Sequence, residues 1–142
     1  MPIYKYTTLD DPLATGTAGT NAYDINNAGQ IVGEYVDSAG IHGFLLSGGT
    51  YTTLNDPLAP KFTEVFGING AGEIVGDYVT SGGGGGFLLS GGTYTTLDPP
   101  GSVSTIVEDI NNKGQIVGWY FTSSSNYLTH GFIRLSDGNY LT

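Results

Sequence analysis

The chain has 142 residues, with four basic and thirteen acidic side chains, 24 glycines and no cysteine. Its net charge of -9 would repel a nucleic-acid backbone or an anionic membrane surface, and the lack of cysteine excludes disulfides and thiolate metal sites. No apolar run approaches the roughly 18 residues of a membrane span, so we expect neither a nucleic-acid partner nor membrane insertion. Glycines interspersed with Tyr, Thr, Val, Ile and Phe predict a turn-rich all-β protein.

Three repeats fill the chain, at approximately 6–50, 51–93 and 94–142, and we expect them to form a single domain that spans 1–142. The tetrapeptide YTTL occurs at 6–9, 51–54 and 94–97, and a degenerate YLT stands at 140–142. The motif INNAGQIVGEY returns as INGAGEIVGDY and then as INNKGQIVGWY. Each repeat therefore predicts the same structural unit.

The chain opens with an extra copy of the strand that ends each repeat. With the degenerate copy at Tyr140 included, this strand occurs four times, whereas every other predicted strand occurs three times. We expect the N-terminal copy to pair with the last repeat of its own chain or with a neighbouring molecule, so the candidate assembly residues are Tyr4, Tyr6, Leu9 and Tyr140. The opening MPIYKYTTLD lacks the charged region and apolar core that are typical of a signal peptide.

The first half of each repeat predicts a hairpin. Strand a covers 21–25, 64–68 and 106–110, and strand b follows as QIVGEYV, EIVGDYV or QIVGWYF. Strand b has apolar residues on both faces, which is typical of a strand covered on both sides by stacked sheets. The turn between a and b uses a glycine at positive φ, and these structural turn glycines are Gly29, Gly72 and Gly114.

The second half of each repeat predicts another hairpin. Strand c is GFLLS or GFIRLS, strand d is TYTTL or NYLT, and Gly-Gly or Asp-Gly pairs between them predict two-residue turns. The five glycines at 82–86 are expected to form a flexible loop. The b-c and d-a connections vary in sequence and fall at one end of the sheet, which favours that end as a binding surface.

Acidic and amide residues cluster before prolines in the d-a loops. Beside tyrosines and Trp119 they predict a glycan-binding site, or alternatively they only initiate turns. Trp119 occupies the position of Glu34 and Asp77 in the other repeats, where it marks an interface or serves as an ordinary packing residue. The candidate ligand-binding residues are Asp10, Asp11, Asn55, Asp56, Asp98 and Trp119.

No motif predicts catalysis or a bound metal. His42 and His130 precede Gly-Phe, but Gly85 replaces the histidine in the second repeat, so we expect these histidines to cap strands. The segment DINNAGQIV is similar in outline to calcium loops of propeller blades, but Ala28 and Val32 leave ligand positions empty. We therefore expect no enzyme activity, no metal and no cofactor.

Four antiparallel strands in about 43 residues match one blade of a β-propeller. A β-trefoil, which also has three four-stranded units, is the alternative fold. Three blades do not close a ring alone, so we expect assembly by homo-oligomerisation, with a dimer of six blades as the favoured form. Strand pairing between copies that does not close would give a filament instead.

The pattern of YTTLDDP, AYDINNAGQIVGEY and HGFLLSGGTYTTL resembles the bacterial HAF-type probable extracellular repeat. The likeness covers all three repeats and implies a secreted or cell-surface protein whose biochemical role is unassigned. We therefore expect a non-enzymatic extracellular β-repeat protein that self-assembles. The alternative is a lectin-like module that binds extracellular glycans with its b-c and d-a loops.

Overall fold

A computed structural model describes residues 1–123 and 128–142, and every regular element in this part of the chain is a β-strand. None of the described residues forms a helix long and apolar enough to cross a membrane. The strands are β1 (Thr20–Ile25), β2 (Ile31–Val36), β3 (Ile41–Ser47), β4 (Thr50–Leu54), β5 (Thr63–Ile68), β6 (Ile74–Thr80), β7 (Gly83–Ser90), β8 (Thr93–Leu97), β9 (Ser104–Ile110), β10 (Ile116–Phe121), β11 (Thr129–Arg134) and β12 (Tyr140–Leu141).

The strands form three antiparallel sheets of four consecutive strands, and the YTTL strand that opens the second and the third predicted repeat completes the preceding sheet. The first sheet contains β1 to β4, the second β5 to β8 and the third β9 to β12, in each case in simple chain order. The prediction of an all-β fold with four strands in each repeat is therefore confirmed.

One asparagine and one glycine build the turn between the first two strands of each sheet. In the first sheet, Oδ1 of Asn26 accepts hydrogen bonds from the backbone N–H groups of Ala28 and Gln30, at 3.0 and 3.1 Å. Gly29 follows with a φ of 74°, a left-handed conformation that would strain any other side chain. The same glycine position has a φ of 79° in the second sheet and 72° in the third.

The turns between β3 and β4 and between β7 and β8 have the predicted two-residue form. Gly48 and Gly49 have φ angles of 57° and 82°, and the pair Ser47 and Thr50 closes the hairpin. The glycine pair of the second sheet has the same angles.

The corresponding turn of the third sheet is wider than predicted. Leu135 N–H donates to the carbonyl of Asn139 at 2.8 Å, so the three residues 136–138 form the loop. The side chain of Asp137 accepts hydrogen bonds from the backbone and side-chain N–H groups of Asn139, at 3.0 and 2.9 Å. These bonds stabilise the longer loop, and the two-residue prediction is wrong here.

Most of the glycine run at 82–86 lies in a strand, so the prediction of a flexible loop is wrong. Residues 83–86 belong to β7 and pair with the end of β6. A Cβ at Gly85 would lie 2.7 Å from the ring of Tyr78, so the glycine leaves room for that ring. In the first sheet the same position is His42, which stacks on Tyr35 with ring centroids 5.2 Å apart.

The N-terminal copy of YTTL does not pair with the last repeat of its own chain. Residues 1–10 form no strand and are exposed. The edge of β11 is instead paired with β12 of the same repeat, where Arg134 lies opposite Tyr140.

The sheets stack in chain order, and the core lies between them. β5 contacts β1, β2 and β3, and β9 contacts β5, β6 and β7. Strand β6 is covered on both faces, as predicted, because Ile74 and Tyr78 pack in the first cluster and Val75 packs in the second. The first cluster also includes Val32, Leu54, Val65, Ile68 and Phe87, and the second also includes Leu97, Val107, Ile110, Ile116, Tyr120 and Phe132.

Candidate functional site

Each internal interface places a valine of one sheet in a hollow left by a glycine of the preceding sheet. Gly43 on β3 faces a methyl group of Val65, and Gly86 on β7 faces a methyl group of Val107. A Cβ at either glycine would collide with that methyl group, and both valines are fully buried. The two internal interfaces therefore repeat one knob-and-hollow contact.

A second apolar pair recurs at both interfaces. Val32 of the first sheet and Ile68 of the second lie in one core cluster, and Val75 and Ile110 are the equivalent pair in the other. The two valines are 0% exposed and the two isoleucines are 4% exposed. These positions are thus buried wherever a sheet has a neighbour on the relevant side.

Asparagine side chains link the a-b turns of neighbouring sheets. Nδ2 of Asn26 donates to the backbone carbonyl of Asn69 at 3.0 Å, and Nδ2 of Asn69 donates to the carbonyl of Asn111 at 3.2 Å. The three turns line a polar depression of about 270 Å³. Within the described residues, Nδ2 of Asn111 donates only to Oε1 of Gln115, so this ladder of hydrogen bonds stops at the third sheet.

The outer face of the third sheet, which we call the third-sheet face, presents interface residues without a neighbour. Val117 is 42% exposed, although its equivalents Val32 and Val75 are fully buried. A Cβ at Gly131, the equivalent of the two hollow-forming glycines, would meet only a backbone carbonyl at 4.0 Å. The hollow is present on this face, but no described residue fills it.

Trp119 also lies on the third-sheet face. Its Nε1 donates to Oε1 of Glu108 at 2.9 Å, and its ring contacts Phe121 edge-on with centroids 5.2 Å apart. The equivalent residues of the other sheets, Glu34 and Asp77, are buried acids. The outer face therefore carries an aromatic ring where the internal interfaces carry a carboxyl group.

The outer face of the first sheet, which we call the first-sheet face, exposes a position that is buried against the preceding sheet at the internal interfaces. Ile25 is 61% exposed, whereas Ile68 and Ile110 at the same position are 4% exposed. The face contains a shallow depression of about 260 Å³, which is lined by Leu9, Ala22, Tyr23, Asp24, Ile25 and Ile31.

A row of acidic groups runs between the sheets. Asp77 and Glu34 are buried, and Oδ1 of Asp77 and Oε2 of Glu34 have no hydrogen-bond partner among residues 1–123 and 128–142. Burial, reinforced by the negative charge of Glu64, raises the pKa of Asp77 to about 8, and burial and the charge of Glu34 raise the pKa of Glu64. At neutral pH we therefore expect Asp77 and Glu64 to hold a shared proton.

The hydroxyl of Tyr23 caps one end of this row. It donates to Oε1 of Glu34 at 2.9 Å. Burial, followed by this hydrogen bond, raises the pKa of Tyr23 to about 12, so the phenol stays protonated at neutral pH.

Two of the predicted ligand residues, Asp11 and Asp56, are buried in matching turns. Oδ1 of each accepts a hydrogen bond of 2.8 Å from the backbone N–H two residues later. The backbone N–H of Asp11 donates to the hydroxyl of Thr20, and that of Asp56 donates to the hydroxyl of Thr63, both at 2.9 Å. Both aspartates thus serve the turn that begins a d-a loop.

The other predicted ligand residues lie apart in different surroundings. Oδ1 of Asn55 lies 2.9 Å from Nδ1 of His42. His42 therefore hydrogen-bonds to the loop that follows β4, as expected for a strand cap. Asp98 accepts a hydrogen bond of 2.9 Å from the hydroxyl of Thr105, and Asp10 is exposed. Trp119 lies in β10, on the third-sheet face.

The predicted assembly residues divide into two groups. Tyr4 and Tyr6 are exposed, and Leu9 lines the depression on the first-sheet face. Tyr140 lies in β12 and packs against Phe132, with ring centroids 5.7 Å apart. Tyr140 thus completes the third sheet.

The end of the sheets with the variable loops carries an apolar groove of about 570 Å³. It is formed by the d-a loop between β4 and β5 and by the end of β6, and it is lined by Leu58, Ala59, Pro60, Lys61, Phe62, Val79, Thr80 and Ser81. This groove lies on the surface that the sequence favours for binding. Its lining contains none of the predicted ligand residues.

Sequence reasoning did not single out Ile25, Val117 or Asn111. The sequence nevertheless contained a signal for them. Each has the same residue type as its equivalents at the internal interfaces, but it lies in the first or the last repeat. In the part of the chain that the structure describes, these three residues have no neighbouring sheet to contact on their outer side.

Among the described residues, no group of three or more His, Cys, Asp or Glu side chains is arranged to hold a metal ion. No protein-family model matches the chain, and a search of curated proteins found no match. Function is therefore inferred from the two outer faces and from the repeats themselves.

Proposed function

We propose that the protein is a non-enzymatic extracellular β-repeat protein whose sheets act as propeller blades and whose copies self-assemble. One observation carries this proposal: the isoleucine that is 4% exposed at both internal interfaces is 61% exposed on the first-sheet face. Removal of such apolar surface from water favours association. The extracellular location is supported by the resemblance of the three repeats to the HAF-type repeat.

The packing of the sheets favours a propeller over the alternative β-trefoil. Each sheet is a meander of four consecutive strands, and it stacks on the next sheet along the chain. In a trefoil, strands from all three repeats pair in a common barrel. Two copies of this chain would supply six sheets, within the four to eight blades that closed propellers have.

Light scattering combined with negative-stain microscopy on the same sample tests the proposal. We expect a small oligomer of integral mass with a central hole. Fibres that disappear when residues 1–9 are deleted would replace the ring with strand donation by the segment that contains Tyr4, Tyr6 and Leu9. A stable monomer would contradict both assemblies and favour the trefoil.

The alternative function, glycan binding, makes a separate prediction. A scaffold gives no reproducible hits on a glycan array. Hits that are lost on substitution of Asp10 or Trp119 by alanine would favour the lectin-like alternative. Since Asp11 and Asp56 hold turns together, their substitution would not distinguish binding from folding.

A further inference from the structure

We propose that copies join head to tail, with the third-sheet face of one copy packed on the first-sheet face of the next. In this contact, Asn111 and Val117 of one copy meet Asn26 and Ile25 of the next. The inference rests on the proposed self-assembly and specifies its interface. The proposed contact repeats, between two copies, the arrangement of the two internal interfaces.

The asparagine ladder supplies the first reason. Nδ2 of Asn26 and of Asn69 each donates to the backbone carbonyl of the asparagine in the following sheet. Asn111 has the same geometry within its own turn but no following sheet, and the carbonyl of Asn26 accepts only the N–H of Gly29 among the described residues. A head-to-tail contact would pair this donor with this acceptor.

A second polar contact runs beside the ladder. The backbone N–H of Gly70 donates to Oδ1 of Asn112 at 2.7 Å, from the second sheet to the third. The equivalent of this pair across the proposed contact is the N–H of Asn112 and Oδ1 of Asn27 in the next copy. The sequence therefore provides an asparagine at the position where the acceptor is needed.

The apolar residues match in the same register. Val32 with Ile68 and Val75 with Ile110 form the internal pairs, so the next pair in the series is Val117 with Ile25 of the following copy. The unfilled hollow at Gly131 would receive Ala22, which occupies the position of Val65 and Val107. Alanine makes a smaller knob than valine but fits the same hollow.

The charges also permit this contact between two chains that each carry a net charge of -9. At the internal interface between the first two sheets, Glu34 lies close enough to Glu64 to raise the pKa of Glu64. The equivalent positions across the proposed contact are Trp119 and Asn21, which are both uncharged. The contact therefore forms without bringing two acids together at this site.

Contact between two identical faces does not satisfy these groups. Two third-sheet faces would place the amide donor of Asn111 and the hollow at Gly131 opposite copies of themselves. Two first-sheet faces would oppose two carbonyl acceptors. Only unlike faces pair a donor with an acceptor and a knob with a hollow.

Mixing of two face variants tests the direction of the contact. Val117→Glu places a charge on the third-sheet face, and Ile25→Glu places one on the first-sheet face. Both residues are exposed in the single chain, so we expect each variant to fold, as checked by circular dichroism and urea unfolding. Thr95→Glu adds the same charge at an exposed residue of β8, in the second sheet and outside both faces, and serves as the control.

We expect each face variant to lose the oligomer that the wild type and Thr95→Glu retain. An equimolar mixture regains one intact contact, because Val117→Glu still has a native first-sheet face and Ile25→Glu still has a native third-sheet face. Native mass spectrometry, with one variant labelled with nitrogen-15, should detect a 1:1 heterodimer. Self-association through like faces would leave one of the two variants fully assembled.

Cysteine cross-linking captures the contact even if a single interface is weak. The chain contains no cysteine, so Asn112→Cys and Asn27→Cys each introduce one thiol. Under mild oxidation we expect a disulfide between the two variants and much less within either variant alone. Gly70→Cys combined with Asn112→Cys in one chain is the internal control, because these positions already touch.

The outcomes separate this inference from the proposed function. A wild type that stays monomeric overturns both. A wild type that assembles while both face variants also assemble supports self-assembly but overturns the head-to-tail contact. Preferential cross-linking of Asn112→Cys with itself would likewise overturn it.

Discussion

Nδ2 of Asn69 donates a hydrogen bond of 3.2 Å to the backbone carbonyl of Asn111, and this bond ties the turn of the second sheet to that of the third. Oδ1 of Asn69 meanwhile accepts the backbone N–H groups of Ala71 and Glu73, both at 3.0 Å. One buried amide therefore shapes its own turn and holds the neighbouring sheet. Asn111 makes the same turn, but no further sheet follows it among the described residues.

Substitution of these two asparagines by aspartate should have unequal effects. Asn69→Asp keeps the acceptor for the turn but loses the Nδ2 donor and places a carboxylate beside Glu73. Since the group is buried, we expect the free energy of unfolding to fall by about 1–3 kcal/mol. Asn111→Asp changes an exposed residue and should cost less. Urea unfolding of both variants measures the difference, and equal losses would contradict the role of the inter-sheet bond.

Alanine at two equivalent glycines should likewise have unequal effects. A Cβ at Gly86 would collide with the buried methyl group of Val107, so we expect Gly86→Ala to reduce the free energy of unfolding by about 1–3 kcal/mol. Gly131→Ala meets only a carbonyl at 4.0 Å and should change it by less than about 0.5 kcal/mol. Urea unfolding at a protein concentration low enough to keep the chain monomeric decides between them. A large loss for Gly131→Ala would mean that its hollow is already filled.

The strands and their order could be predicted because the signals are local. Alternating apolar residues, YTTL and the glycine pairs define hairpins within a few residues of one another. The exceptions depend on contacts that the local pattern does not contain. Residues 83–86 join a strand beside the ring of Tyr78, and the third c-d turn widens around bonds between Asp137 and Asn139.

The candidate site was harder to predict, because it depends on which sheets have neighbours. Ile25 and Ile68 are the same residue in the same motif, and only the presence of a preceding sheet makes one of them buried. The acidic row likewise joins Glu34 and Asp77, whose strands are far apart in the sequence. Alternation places each of these acids on a sheet face but does not reveal that Glu64 interacts with both.

Deletion of residues 1–9 should leave the stability of the single chain nearly unchanged. These residues form no strand and are exposed, and only Leu9 contributes to the depression on the first-sheet face. We expect the free energy of unfolding of the deletion variant to lie within about 0.5 kcal/mol of the wild-type value. Urea unfolding followed by tryptophan fluorescence provides the measurement, since the chain contains one tryptophan. A loss of several kcal/mol would show that the segment packs on the sheets.

The stability of the fold should fall as the pH rises from about 4 to about 8. In the folded chain the pKa of Asp77 is raised to about 8 by burial and by the nearby Glu64, whereas the pKa of an aspartate in the unfolded chain is about 3.9. The folded state therefore holds a proton that the unfolded state releases. The stabilisation is complete below about pH 4 and is lost as the pH passes through the folded pKa, with a slope of at most about 1.4 kcal/mol per pH unit.

Asp77→Asn tests this proton directly, because asparagine keeps the size of the side chain and does not titrate. We expect the variant to lose most of the decline between pH 5 and pH 9 and to be more stable than the wild type at pH 9. Asp98→Asn, at an exposed carboxyl group, is the matched control and should keep the wild-type slope. Urea unfolding at pH 5, 7 and 9 and constant ionic strength gives the three slopes. If Asp77→Asn and the wild type decline in parallel, the proton lies on another group.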